Sequence, residues 1–342
     1  MANSSSPAGA TGRVRLSVVV PTHNRREVLV SRTLPALFRQ NLAASEYEII
    51  VVVDGSTDGT AQAVRGLRSS APVKVLEQPN RGPSAARNKG IEASKGDLVL
   101  FVDDDIVCSP SLLKQHLEAH AGQGDVVVYG PISIAPETPP SLLRYTIEEW
   151  YQDYYRHIES QGGLRWPQDD YLISNSSIPR SRLAECGGFD EDMPAKEDYE
   201  LGLRLWKAGI KFTYLPHARA YEYYRKPSGR VLHRDGEGFG RSEVLLSRKH
   251  PEYRPYSTLA ALGKSHGWRR WWRNFYVGLP AAPVSLLAPA IWTCDKLCRF
   301  PVMRRAGHYL LGVGRGIVEV RAAVKEAGSW AVLQREFGAH VP

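Results

Sequence analysis

Three short tracts hold most of the side chains able to do chemistry. Pro21-Thr22-His23-Asn24, Asp54-Gly55-Ser56-Thr57-Asp58 and Asp103-Asp104-Asp105 each follow a short apolar run, and two of the three carry carboxylates. Gly82–Arg87 (GPSAAR) reads as the opening of a helix whose first backbone N–H groups face an anion. Farther along, Glu197-Asp198 opens an amphipathic stretch, Glu197–Ala208, with Leu201 and Leu205 on one face. Carboxylates at a helix start also suit the helix dipole, so first-turn capping competes with a chemical role there. His116 and His120 lie four residues apart, a spacing able to hold a metal; on a polar helix the expectation is an ordinary solvated face.

These tracts need a scaffold that brings strand ends to one rim. Leu16–Pro21, Glu48–Val53 and Leu98–Val102, with a weaker run at Val73–Leu76, have the continuous β-branched character of parallel strands buried on both faces. Helical stretches at Glu27–Gln40, Thr60–Ser69 and Pro83–Ser94 lie between them. The alternation predicts an α/β fold, a doubly wound and mainly parallel sheet, which binds ligands beyond the carboxyl ends of its strands. From about residue 131 to 225 the pattern loosens. Tyr145–Tyr171 is rich in aromatics, and Trp150/Tyr154 and Tyr151/Tyr155 have helical spacing, so core packing weighs at least equally with sugar stacking. Lys211–Leu215 reads as a further strand.

Composition narrows the classes. The chain has 342 residues, 43% hydrophobic and 23% charged, which excludes a largely disordered chain, collagen and coiled coil. Four scattered cysteines, none in a CxxC pair, exclude a disulfide framework and a zinc ribbon and point to a reducing, cytoplasmic setting. Residues 1–13 are polar with no apolar h-region, so they are expected to be disordered and not a secretory signal. The net charge is +8, yet residues 241–342 alone hold 16 Lys+Arg against 6 Asp+Glu. The excess is a property of the tail, and no nucleic-acid partner is expected.

In order and spacing, SVVVPTHNR, VVVDGSTDGT, RGPSAARNKGIEASKGDLVLFVDDD and GGFDE…EDYELGLRLWKAG resemble the motifs of family 2 glycosyltransferases, over roughly Leu16 to Glu222. The resemblance implies a GT-A fold: a catalytic domain at 14–225, nucleotide-binding to about 130 and acceptor-binding from about 131, followed by a basic helical extension at 226–342. It implies an inverting transferase moving a sugar from a nucleoside-diphosphate sugar to a hydroxyl of a glycan, lipid-linked or small-molecule acceptor. A divalent metal, Mn²⁺ or Mg²⁺, is implied as cofactor, because charge grows on the departing diphosphate and hard oxygens suit such ions.

Residue by residue, the resemblance makes Asp105 the direct metal ligand and Asp103 a ribose or metal contact, with Asp104 between them on the nucleotide side. Asp54 is implied to bond the nucleobase, with Pro21, Thr22 and Asn24 forming the other wall, and Arg87 to reach the base or diphosphate. Asp198 is implied as general base, with Glu197 orienting the acceptor. Many relatives place a metal-binding His where this chain has Glu222, and His217 lies five residues earlier; Glu222 is the expected oxygen ligand at that slot.

The tail is read separately. Trp268-Arg269-Arg270-Trp271-Trp272-Arg273 precedes 21 uncharged residues, Asn274–Cys294, interrupted by Pro280, Pro283 and Pro289. Length suits a membrane span, the prolines do not, and the two surviving readings are monotopic or re-entrant attachment, peripheral at the cytoplasmic face of a membrane, and a Pro-broken helical hairpin packed on the catalytic domain. Three other functional classes compete: a nucleotidyltransferase, which needs an early Gly-rich loop that PTHNRR does not supply; a non-catalytic nucleotide-sugar-binding scaffold, which Asp103, Asp105 and Asp198 argue against; and nucleic-acid binding by the basic tail, which salt-dependent retention on DNA would support.

Overall fold

The computed structural model describes residues 13–225, 229, 231–263 and 284–337. The expected disorder of the N-terminus falls on residues outside this set, apart from Arg13, as do the Trp-Arg tract and the first ten of the uncharged residues. Two compact units interleave along the chain. One comprises residues up to 131, 173–188 and 209–221; the other comprises 132–172, 189–208 and the residues from 222 on.

The first unit is built on a seven-stranded sheet. In chain order the strands are β1 (Leu16–Thr22), β2 (Tyr47–Asp54), β3 (Val73–Gln78), β4 (Leu98–Phe101), β5 (Ile106–Cys108), β6 (Val126–Tyr129), β7 (Ile132–Ile134), β8 (Ser176–Pro179), β9 (Lys211–Tyr214) and β10 (Ala220–Glu222). The sheet has the order β3-β2-β1-β4-β8-β6-β9, with β5, β7 and β10 outside it. β1 pairs in parallel with β2 and β4, β2 with β3, and β6 with β9. β8 alone runs antiparallel, between β4 and β6. β1 and β2 are buried at every position, as continuous apolar runs require of central strands.

The helices match the expected stretches with small differences. The first is three successive segments, Arg26–Val28, a wider π-type turn Leu29–Thr33 and Leu34–Phe38, because Pro35 has no N–H to continue a uniform ladder. The second stops early, Thr60–Arg65, at Gly66. The third spans Pro83–Ala93.

The two histidines depart from expectation. His116, on the helix Leu112–His120, is fully buried, not solvated. Its helix buries Leu112, Leu113, His116 and Leu117, so the histidine shares the apolar face. Its Nδ1 lies 2.8 Å from Ser177 Oγ and its Nε2 3.0 Å from Asn175 Oδ1, while His120 Nε2 reaches the same Ser177 Oγ at 2.8 Å. Burial pushes both imidazoles down to a pKa of about 4 from 6.5. The unfolded chain takes up these protons near 6.5 and the folded chain only near 4, so the stability held by the neutral rings is complete above 6.5 and is lost as pH falls toward 4. Asp104, raised to about 7, contributes with the opposite sign there, so the test compares His116→Gln with the starting chain: the starting chain should lose more stability from pH 7 to 4 than the variant, and equal losses would refute the buried neutral pair.

The second unit is mainly helical: Leu142–Gln161, Glu197–Lys207, Gly236–Lys249, Ala288–Lys296, Pro301–Ala327 and Trp330–Phe337. Ser141 Oγ caps the first of these, accepting from Arg144 N–H at 3.1 Å. On that helix Trp150 stacks on Tyr154, with centroids 5.2 Å apart, while Tyr151 and Tyr155 are buried. The aromatic tract is thus partly core. One cluster joins Met193, Tyr199, Leu203, Leu246 and Tyr253; another joins Val244, Leu259, Ala323, Ala327, Leu333 and Phe337. Among the described residues no helix is long and apolar enough to cross a membrane.

Candidate functional site

β1, β2 and β4 are parallel, so their carboxyl ends lie on one rim, and this is where the first unit gathers Thr22, Asn24, Asp54 and Asp103–Asp105. Asp54 ends β2 and is buried. Its Oδ1 accepts from Gln78 Nε2 at 2.9 Å and Arg81 N–H at 2.8 Å, and its Oδ2 from Gly82 N–H at 2.9 Å. Gly82 stands immediately before the Pro83 helix with φ of 91°, a conformation that favours glycine. The turn-residue reading of Asp54 therefore holds in a stronger form: its carboxylate fixes where that helix begins.

Asn24 ties two of the tracts together. It adopts a left-handed backbone, φ 52°, its N–H donates to Ser56 Oγ at 2.9 Å, and its Oδ1 accepts from Thr57 N–H at 2.8 Å. Pro21 and Thr22 are buried at the end of β1. Thr22 Oγ1 donates to Asp104 Oδ2 at 2.7 Å.

The acidic tract is held by two arginines. Arg87 Nη2 donates to Asp103 Oδ1 at 2.9 Å, and Ser174 Oγ donates to Asp103 Oδ2. Arg25 bridges the other two: its Nη2 donates to Asp105 and its Nε lies 3.5 Å from Asp104 Oδ1. The Arg87 side chain is buried while that of Asp103 is 37% exposed. Asp105 is buried. Burial, reinforced by the charge of Asp105 and opposed by Arg25, pushes the Asp104 carboxyl up to about 7. Arg87 thus faces Asp103, and Arg25 faces Asp104 and Asp105.

Arg25 and Ser174 were not foreseen. Arg25 sits inside the PTHNR motif, where an Arg beside an acidic rim is a readable signal. Ser174 lies 71 residues beyond Asp103 and reaches it because β8, antiparallel, starts where its parallel neighbours end. No local pattern announces that.

The remaining candidates belong to other places. His217 is exposed, in the turn before β10. Glu222 is buried, and its Oε2 accepts from Tyr151 OH at 2.8 Å. Glu197 and Asp198 form the first turn of the helix Glu197–Lys207 in the second unit, both partly exposed. Asp198 Oδ1 accepts from Tyr199 N–H at 2.8 Å. Glu200 in the same turn faces inward and takes a bidentate contact from Arg204, whose Nη2 lies 2.7 Å from Oε2.

The residue before this turn, Lys196, is left-handed, with φ of 57°. Its ammonium is buried against Glu243 and lies 2.9 Å from Tyr253 OH. Burial alone would lower its pKa, but the charges of Glu243 and Asp170 outweigh that and the net shift is upward. Burial pushes the phenols of Tyr199 and Tyr253 up, keeping both neutral. Among the described residues no group of three or more His, Cys, Asp or Glu side chains is arranged to hold a metal by itself.

Residues 17–175 match the family described as glycosyl transferase family 2, and residues 98–292 match glycosyl transferase family group 2. Validoxylamine A glucosyltransferase of Streptomyces hygroscopicus subsp. limoneus is 33% identical over 250 residues, which cover 63% of this chain and 54% of that protein. Poly(ribitol-phosphate) beta-N-acetylglucosaminyltransferase TarS of Staphylococcus aureus (strain Mu50) is 38% identical over 224 residues, covering 63% of this chain and 36% of TarS. The chain therefore spans about half the length, or less, of these relatives. Among solved structures, the mannosyltransferase PcManGT from Pyrobaculum calidifontis, in complex with GDP-Man and Mn²⁺, superimposes with a TM-score of 0.62 over 93% of this chain and 88% of that one, at 21% identity, a likeness of fold. With both family descriptions matched across the acidic rim, and with a mainly parallel sheet of the same architecture, the chain belongs to the family 2 glycosyltransferases and has their GT-A fold.

Proposed function

We propose that this chain transfers a sugar, with inversion at the anomeric carbon, from a nucleoside-diphosphate sugar to an acceptor hydroxyl. The observation that carries the reading is the rim itself: Asp103, part-exposed and aimed by Arg87 and Ser174, beside Asp105 and the Asn24-bridged walls of β1 and β2. Pro21, Thr22, Asn24 and Asp54 bound the base pocket, Asp54 mainly by fixing the start of the Pro83 helix. Asp103 contacts the ribose or the cation, Asp104 supports the turn through Thr22, and Arg87 keeps Asp103 oriented toward the donor.

The donor set suits a hard divalent cation: carboxylate oxygens at alternate positions of one tract. Asp103 and Asp105 would hold it, and Arg25 would give up its contact with Asp105. Bound there, Mn²⁺ or Mg²⁺ neutralises charge on the leaving diphosphate. Glu222, buried and bonded to Tyr151, is better suited to supporting that helix than to ligation.

In the second unit Asp198 accepts the proton of the acceptor hydroxyl as its oxygen forms the new bond to the anomeric carbon. The old bond from that carbon to the phosphate oxygen breaks, and its electron pair leaves with the nucleoside diphosphate. Glu197 orients the acceptor.

The test is a donor screen that measures released nucleoside diphosphate from UDP-glucose, UDP-N-acetylglucosamine and GDP-mannose with Mn²⁺ or Mg²⁺. One donor should be consumed, with turnover abolished by chelation and restored by the ion. Undiminished turnover under chelation would remove the cation from the scheme.

A further inference from the structure

The helices Ala288–Lys296 and Pro301–Ala327 form an antiparallel pair within the second unit. A Cβ on Gly307 would lie 2.9 Å from Cys294 Cβ and 2.5 Å from Leu142 Cδ2, and one on Gly314 would lie 3.5 Å from Val284 Cγ1. These small positions form the seam of the pair, together with Ile291, Cys294 and Leu311, which are buried. The shorter helix is anchored by Asp295, whose Oδ1 accepts from Leu142 N–H at 2.7 Å.

The first turns of the longer helix are exposed on the side away from this seam. At helical spacing that side presents Val302, Ala306 and Tyr309, with Arg305 among them. The shorter helix likewise turns Trp292 and Lys296 away from its buried face, and Phe300 is exposed in the connection. Leu286, Trp292, Phe300, Val302 and Tyr309 are 74%, 62%, 49%, 71% and 62% exposed, the five most exposed large hydrophobic residues among those described. Five such side chains within 24 residues of sequence are not the scattered apolar exposure of an ordinary surface.

Charge says what covers them. Lys296 Nζ stands 5.7 Å from the Trp292 ring and the Arg299 guanidinium 4.9 Å from the Phe300 ring. Arg304 and Arg305 follow, while Asp295, the one acid between Leu286 and Leu311, is spent on the Leu142 amide. Aromatic side chains with cations beside them match the headgroup layer of a bilayer, where rings enter the acyl boundary and cations stay with phosphates. The tract before this region, Trp268–Arg273, has the same composition.

We propose that the outward face of this helical pair docks on the surface of a membrane containing anionic phospholipid, without spanning it. Trp292, Phe300, Val302 and Tyr309 insert, and Lys296, Arg299 and Arg305 contact the headgroups.

The experiment is sedimentation of the full chain with phosphatidylcholine vesicles and with vesicles that also contain phosphatidylglycerol, at low and high salt. Anionic vesicles should carry down about tenfold more protein at low salt, since each basic residue near such a surface strengthens binding severalfold. The double variant Trp292→Ser, Tyr309→Ser should lose about tenfold in binding, with an unchanged melting curve because both rings are outside the core. Arg299→Glu with Arg305→Glu should abolish the preference for anionic vesicles. Equal recovery with both vesicle types overturns the proposal, as does full binding by the aromatic variant. Size-exclusion chromatography supplies the last arm: a wild-type dimer that the aromatic variant turns into a monomer would show a second copy on this face and overturn the lipid reading.

Discussion

Asp198→Asn should lower sugar transfer by about 10²–10⁴-fold, the usual worth of a positioned proton acceptor, while nucleotide binding stays near its starting value. The amide is isosteric but cannot take the proton from the acceptor hydroxyl at neutral pH. Its oxygen still accepts the Tyr199 N–H that Asp198 Oδ1 accepts at 2.8 Å, so the helix start has no reason to move. Asp198 is partly exposed and belongs to a different unit from the rim proposed to bind the nucleotide, so a pure loss of turnover would separate its role from that of the rim. Turnover measured by diphosphate release, with nucleotide affinity by calorimetry, gives the split. A variant with near-normal turnover would take Asp198 out of the reaction.

Glu243→Ala should destabilise the fold by about 3–5 kcal/mol, the range for removing one partner of a buried ion pair. Glu243 is 1% exposed and receives Lys196, Tyr253 OH at 2.8 Å and Thr258 N–H at 2.8 Å. Without it the Lys196 ammonium keeps its burial and loses the carboxylate facing it. The consequence reaches the candidate base, because Lys196 holds a left-handed backbone directly before Glu197-Asp198. A left-handed non-glycine residue costs about 1–3 kcal/mol and persists only where its surroundings enforce it. Turnover should therefore fall along with stability, and Glu243→Gln, which keeps an acceptor oxygen, should fall less in both. An unfolding free energy within about 1 kcal/mol of that of the starting chain, as an exposed pair would give, would refute the coupling.

The sequence and the structure agree best where one physical cause dominates. β1, β2 and β4 are apolar runs buried on both faces, and nothing else fits such runs between short helices. Their polar ends could be read as a rim for the same reason. β8 escaped because Ser176 and Ser177 look like loop residues, yet both are fully buried, the hydroxyl of Ser177 being satisfied by His116 and His120. β6, Val126–Tyr129, carries the same apolar signal as its neighbours. His116 reads as solvated by residue type alone, whereas Leu112, Leu113 and Leu117 around it mark the buried face. Glu243 could not be found at all, since a Glu in an amphipathic helix looks alike whether it faces water or a buried lysine 47 residues away.

The reversed strand β8 also limits how the protein can be made. A fragment ending near residue 130 contains β4 and β6 but not the strand that separates them, nor β9 on the far side of β6. Both would present bare rows of amides and carbonyls, the kind of edge that recruits other chains. A nascent polypeptide therefore carries sticky margins until translation has passed residue 214, and the part up to residue 130 is a poor candidate for excision as a separate reagent.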